Sequence, residues 1–161
     1  MEGYRQCRGG VEYRILVTDL SPAALRLAAS GGHFREARTC LDGLPSCLRS
    51  AAESGLESDG DGHLVPAPAT RRSCDRRVSL LPHDLLHMPA PGEADVVFLR
   101  NVLIYCGEED RLRILGHVAA ALRRPGWLFV ADVEIPAVGD AARSLGFVTQ
   151  SCDGTLAYRL G

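Results

Sequence analysis

Residues 98–106 read FLRNVLIYC, an apolar strand's worth of sequence holding Arg100 and Asn101, with Tyr105 four places after the Asn. A guanidinium beside an amide, where solvation is easily lost, is suited to orienting an anion through charge-assisted hydrogen bonds. Acids stand at the ends of other apolar runs: Asp19 after ILVT, Asp84 after SLLPH, and Asp132 and Glu134 after WLFVA. A carboxylate can accept two hydrogen bonds from a ribose diol, which is one use for Asp19; the other is to start the helix that Ser21-Pro22 announces. Asp84 and Leu85 suit a flat base, held by backbone with the apolar side chain beneath it, yet HDLL equally reads as a turn into a loop. Arg100 has a plain alternative too, a structural ion pair with Asp132 or Glu134.

Other chemistries drop out. All 18 basic residues are Arg, which excludes a phosphate-loop lysine and any Schiff base. Cysteines at 7, 40, 47, 74, 106 and 152 make no C-x-x-C, and the Cys40/Cys47 spacing fits no common zinc pattern. They read as reduced thiols of a cytoplasmic protein. His83 and His87 are spaced like a metal pair, but Pro82 and Pro89 argue against a helix there, so no metal is expected. A net charge of -2 supplies no general field toward nucleic acid or an anionic membrane. MEGYRQCRGGVEY has no apolar core and is not expected to act as a secretory signal. No apolar run approaches the roughly 20 residues of a membrane span.

The elements that must position these residues follow from pattern and punctuation. Arg14 to Asp19 suits a buried parallel strand; Ser21 caps a helix over Ala23 to Ala29, stopped by Gly31-Gly32. Weaker helical character runs over 33–50, and 54–77 has no convincing period, which predicts a loop or small surface excursion. Strands are expected at Val78–Leu81, Ala94–Leu99 and Trp127–Ala131. An amphipathic helix is expected over Glu108–Arg123, with Leu112, Leu115, Val118 or Ala119, and Leu122 inward and Pro125-Gly126 as its stop. A short helix over 141–146 and a strand pair turning at Asp153-Gly154 complete the chain. The order is that of an open, doubly wound α/β sheet of one domain spanning 1–161, whose ligands sit at the carboxyl ends of the strands.

Residues 94–134, ADVVFLRNVLIYCGEEDRLRILGHVAAALRRPGWLFVADVE, closely resemble the most distinctive block of the CheR-type chemoreceptor methyltransferases. ILVTDLSPAALRLAASGGHF, GLPSCL, DGHLVPAPATRRSCDRRVSLLPHDLL and GTLAYRL resemble further segments of that family in order, over roughly residues 13–160. The resemblance implies an incomplete Rossmann-like methyltransferase sheet with an excursion near 54–77 and a C-terminal antiparallel strand pair. It implies S-adenosylmethionine as cofactor and methyl transfer to glutamate carboxylates of a chemoreceptor or similar signalling protein. Asp19 would hold the ribose and Asp84 with Leu85 the adenine; Arg100 and Asn101 would line the methyl-transfer end, beside Tyr105.

Departures from the family pattern are specific. The glycine-rich turn that the family places before its second strand, of the form SAGCSTGEE, has no counterpart, and Arg8-Gly9-Gly10 is not that loop. The sheet is therefore expected to be interrupted, with exposed apolar edges. Cys106 stands where the family has an aromatic, and of the family's His-Ser-Glu only Glu134 carries over. A fragment of a longer methyltransferase, with transfer impaired in this chain, an inactive protein-binding remnant and one half of a split enzyme are the readings this allows. A nicotinamide-dependent oxidoreductase using Asp19 is a more distant one, without G-x-G-x-x-G to support it.

Overall fold

The structure, a computed structural model, describes residues 12–30, 46–59, 63–152 and 155–161. The chain divides into two compact units, Met1–Pro82 and His83–Gly161.

In the first unit β1 (Ile15–Asp19) leads into α1 (Pro22–Ala29). Ser21 takes an extended backbone and its hydroxyl accepts from the Ala24 N–H at 3.3 Å, while Pro22 fills a first-turn position that needs no N–H. Of the region expected to be weakly helical, the part from residue 46 is α2 (Ser46–Ser54); Leu41, Leu44 and Gly31-Gly32 lie outside the described residues. The region expected as a loop or small surface excursion holds regular elements. Strands β2 (Leu56–Ser58) and β3 (Leu64–Pro66) pair antiparallel, and α3 (Pro68–Arg77) follows. That helix buries no side chain, so PATRRSCDRR had no apolar period to display; only Pro68 at its first turn marks it. Strand β4 (Val78–Pro82) runs parallel to β1, from Ile15 opposite Val78 to Asp19 opposite Pro82.

The expectation that β1 is buried is overturned. Ile15 and Leu16 are each 46% exposed. Among the described residues β1 hydrogen-bonds to one strand only and packs against one helix, too little cover for a parallel strand.

In the second unit β5 (Ala94–Phe98), α4 (Glu108–Ala121), β6 (Leu122–Phe129), α5 (Ile135–Ser144), β7 (Phe147–Cys152) and β8 (Thr155–Leu160) follow in turn. The sheet order is β5-β6-β8-β7, with β5 parallel to β6 and the C-terminal pair antiparallel as expected. Its core includes Leu103, Leu115, Leu128, Val138, Phe147 and Tyr158, with Phe147 and Tyr158 meeting edge to face. The buried stripe of α4 is Ile114, Leu115, Val118 and Ala121, and Leu112 faces solvent. The expected helix ran two residues too long: Leu122 is buried as the first residue of β6, and Pro125-Gly126 lies within that strand. A Cβ at Gly126 would collide with the Arg123 carbonyl, so glycine is required for this close approach. Helix α5 begins at Ile135, earlier than the sequence pattern indicated.

Among the described residues the parallel pair β1–β4 belongs to the first unit and the sheet β5-β6-β8-β7 to the second. No described helix is long and apolar enough to cross a membrane. Burial is concentrated in the second unit, and this sets an expectation. Leu115→Ala, at a fully buried position, should cost about 2–5 kcal/mol, whereas Leu16→Ala should cost less than about 1 kcal/mol. Urea midpoints at unchanged m-value measure both; equal losses would refute this distribution of stability.

Candidate functional site

The site is built where β5 and β6 end side by side. The Leu99 N–H donates to the Phe129 carbonyl at 2.8 Å and the Leu99 side chain turns into the core. The chain then bends at Asn101, whose φ of 59° lies in the left-handed region that Asn tolerates better than most residues. Val102 returns to right-handed geometry. Alternation of this kind points successive N–H groups into one concavity, a nest for an anion.

The anion is the carboxylate of Glu134, from the short turn Asp132–Glu134 after β6. Its Oε2 accepts from Asn101 N–H and Ala131 N–H, both at 2.9 Å; its Oε1 accepts from Val102 N–H at 2.9 Å and Leu103 N–H at 2.8 Å. The bond to Ala131 is the glutamate half of a capping box. Glu134 is fully buried. Burial pushes its pKa up, but the four backbone hydrogen bonds together outweigh that and hold it below the ordinary carboxylate value. Leu103, with no exposed surface, anchors the loop in the core, and its carbonyl accepts from Arg111 Nε of α4 at 2.9 Å.

The loop fixed in this way carries the predicted residues Arg100, Asn101 and Tyr105. The suspected ion pair of Arg100 with Asp132 or Glu134 is not formed, because the Glu134 oxygens are committed to backbone donors. Arg100 and Asn101 are exposed, and among the described residues neither side chain has a hydrogen-bond or ion-pair partner. Exposed apolar side chains flank them in sequence or in the neighbouring turn: Phe98, Val102, Tyr105 and Val133.

Asp84 and Leu85 lie in the same unit, in a turn at 84–88. Asp84 Oδ1 accepts from the Leu86 and His87 N–H groups and Oδ2 pairs with His87 Nδ1 at 2.9 Å, a contact that first among several holds the Asp84 carboxyl below its usual range. His117 Nδ1 lies 3.0 Å from the Leu85 carbonyl, which fixes that nitrogen as the protonated one and ties the turn to α4. His83 likewise bonds the Pro89 carbonyl through Nε2 at 3.0 Å. Asp19 belongs to the first unit, where its Oδ1 accepts from Ser21 N–H at 2.7 Å and its other oxygen has no partner among the described residues. Among the described residues no cluster of three His, Cys, Asp or Glu could hold a metal. Sequence reasoning missed Arg111, His117 and the task of Glu134. Apart from Ala131, three residues before Glu134, their partners stand eight to 33 positions away, beyond any local period.

The family model described as CheR methyltransferase, SAM binding domain, matches residues 4–143. The match starts upstream of β1 and stops inside α5. A probable chemotaxis protein methyltransferase of Rhizobium etli is 28% identical over 127 residues, covering 76% of this chain and 44% of that protein. A chemotaxis protein methyltransferase of Listeria monocytogenes is 30% identical over 126 residues, covering 78% of this chain and 44% of that protein. The chain thus spans less than half the length of these relatives. In fold it resembles the crystal structure of a possible exported protein from Bordetella parapertussis, with TM-score 0.54 and 12% identity over 91% of this chain and 53% of that one. The family match displaces the nicotinamide reading.

The Glu134 cage makes stability depend on pH with a definite sign. Its folded-state pKa lies below the unfolded value of about 4.3. The contribution is therefore complete above pH ~4.3 and is lost as pH falls through the lower folded value. Glu134→Gln, which turns an NH2 toward N–H donors, should cost on the order of 2–4 kcal/mol at neutral pH. The gap to wild type should narrow at pH 3; urea denaturation at both pH values checks it, and a constant gap would refute an ionised cage.

Proposed function

This chain belongs to the CheR methyltransferase family, and we propose that it carries out S-adenosylmethionine-dependent methyl transfer to glutamate side-chain carboxylates of chemoreceptor-like proteins, in the cytoplasm. The matched domain is the one that binds S-adenosylmethionine, which is the cofactor. The observation that carries the reading is Arg100, an exposed guanidinium without a partner among the described residues, on a loop held by a buried carboxylate.

The residues present fit the cofactor in their chemistry. Asp19 has one carboxylate oxygen open to a ribose hydroxyl. The 84–86 turn is braced by its own hydrogen bonds and offers an apolar surface for a base. Arg100, Asn101 and Tyr105 remain for the reacting end. Bound S-adenosylmethionine supplies an electrophilic methyl group on a sulfonium. A glutamate carboxylate is already ionised at neutral pH, so the chain need not provide a general base. Its tasks are to align that carboxylate and strip its water. Arg100 receives the carboxylate in a bidentate fork, Asn101 adds amide polarity, and Tyr105 with the neighbouring apolar side chains keeps water away. The 161 residues contain no glycine-rich turn of the family's form, so the proposal extends to weak cofactor retention by the chain alone.

Calorimetry with S-adenosylhomocysteine, paired with methyl transfer to a synthetic peptide bearing adjacent glutamates, tests this. Methyl esters release methanol in base, which marks a carboxylate as acceptor. Asp19→Ala should weaken binding about tenfold or more, and Arg100→Ala should lower turnover at least tenfold with little change in affinity. Equal loss of both properties in both variants would overturn the roles. No binding by the folded chain would leave a protein-binding remnant as the better reading.

A further inference from the structure

We infer that Glu134 is a positioning residue: its carboxylate presets the backbone of the Arg100–Leu103 loop, and thereby aims Arg100 and Asn101 at the substrate carboxylate. The inference rests on the methyl-transfer reading above and assigns it a residue that does not itself touch substrate.

Three features point past a merely space-filling role. All four acceptor positions of the carboxylate are taken by backbone N–H groups, three of them consecutive, from Asn101 to Leu103. The segment so held includes the one described non-glycine residue at positive φ, Asn101. A left-handed residue persists where its surroundings over-determine it, and such strain of about 1–3 kcal/mol gathers at functional loops. Without the carboxylate the three N–H groups face one another unpaired, and the relaxation open to them is rotation of Asn101 out of the left-handed region. That rotation re-aims the side chains of both Arg100 and Asn101.

The second point concerns charge. An acid within reach of Arg100 would neutralise the cation and compete with substrate, but Glu134 spends its charge on amide dipoles. The guanidinium stays free for an incoming anion. The third is the brace from outside: Arg111 of α4 holds the Leu103 carbonyl at 2.9 Å, so the loop is gripped through its donors and an acceptor. A shift of about 1 Å in reacting groups costs on the order of a hundredfold in rate, so a tether of this kind is a catalytic asset without being a catalytic group.

The test compares the chain with Glu134→Gln and Glu134→Asp, each at a temperature where melting shows it folded. Asp keeps the charge but retracts it by one methylene, so it carries the test where the Gln variant does not fold. Measured are amide hydrogen exchange, calorimetric affinity for S-adenosylhomocysteine, and kcat and KM for base-released methanol from the peptide with adjacent glutamates. The amides of Asn101, Val102, Leu103 and Ala131 should lose protection while those of Leu128 and Tyr158 keep theirs. Turnover should fall about ten- to a hundredfold, with cofactor-product affinity changed less than about threefold. Full turnover in a variant whose four amides have lost protection overturns the proposal. So does loss of protection throughout the sheet with equal falls in affinity and kcat, or failure of both variants to fold, since either marks a carboxylate that only maintains the fold. An unaltered chain that keeps the four amides protected but releases no methanol overturns the methyl-transfer reading instead.

Discussion

One buried carboxylate organises the edge of the second unit's sheet that carries the candidate site. Desolvating an anion is costly, and Glu134 is tolerated because two N–H groups meet each of its oxygens. The donors come from the loop after β5 and the turn after β6, two segments 30 residues apart that parallel pairing brings to the same edge. The two segments therefore behave as one body. Leu103 adds an apolar anchor below, and the Arg111 contact a polar one from α4. Flexibility is removed from the backbone and left to side chains on the rim.

This rigidity matters more than usual because the proposed chemistry asks little of acid–base groups. With an ionised nucleophile and an electrophile that arrives already activated, alignment and desolvation are what remains for the protein to supply. The composition agrees: no lysine stands anywhere, His83 and His117 are engaged with backbone carbonyls, and His87 is paired with Asp84.

Much of the fold was legible. Strands β1, β4 and β5 and the C-terminal pair announced themselves through short apolar runs and turn residues, and Ser21-Pro22 marked a helix start. What failed did so for physical reasons. Helix α3 presents no buried face, so periodicity had nothing to report, and β1 reads as buried because its residue types suit burial that the described neighbours do not provide. In α4 the phase was misjudged by assuming that the helix ran on through Leu122. For the site, residue types and position picked out Arg100 and Asn101, while the grip on them was invisible. A sequence shows an acid after a strand; it does not show that four amide dipoles converge on it.

Burial is distributed unevenly between the two units. The second unit holds a continuous core and the loop with Arg100, whereas α1 buries only Leu25 and β1 leaves its apolar side chains half-exposed. Asp19 therefore projects from lightly packed structure, and Arg100 from densely packed structure. Apolar burial of a few tens of Å² per side chain is worth about 1 kcal/mol at ~25 cal/mol per Å², comparable to the cost of ordering the residues that carry it. Under the ribose role proposed for Asp19, ligand binding and local ordering are coupled there. The tethered loop needs no such help, because its order is built into the core. The alignment proposed for the reacting carboxylate thus draws on the unit with the denser core, as a reaction limited by geometry requires.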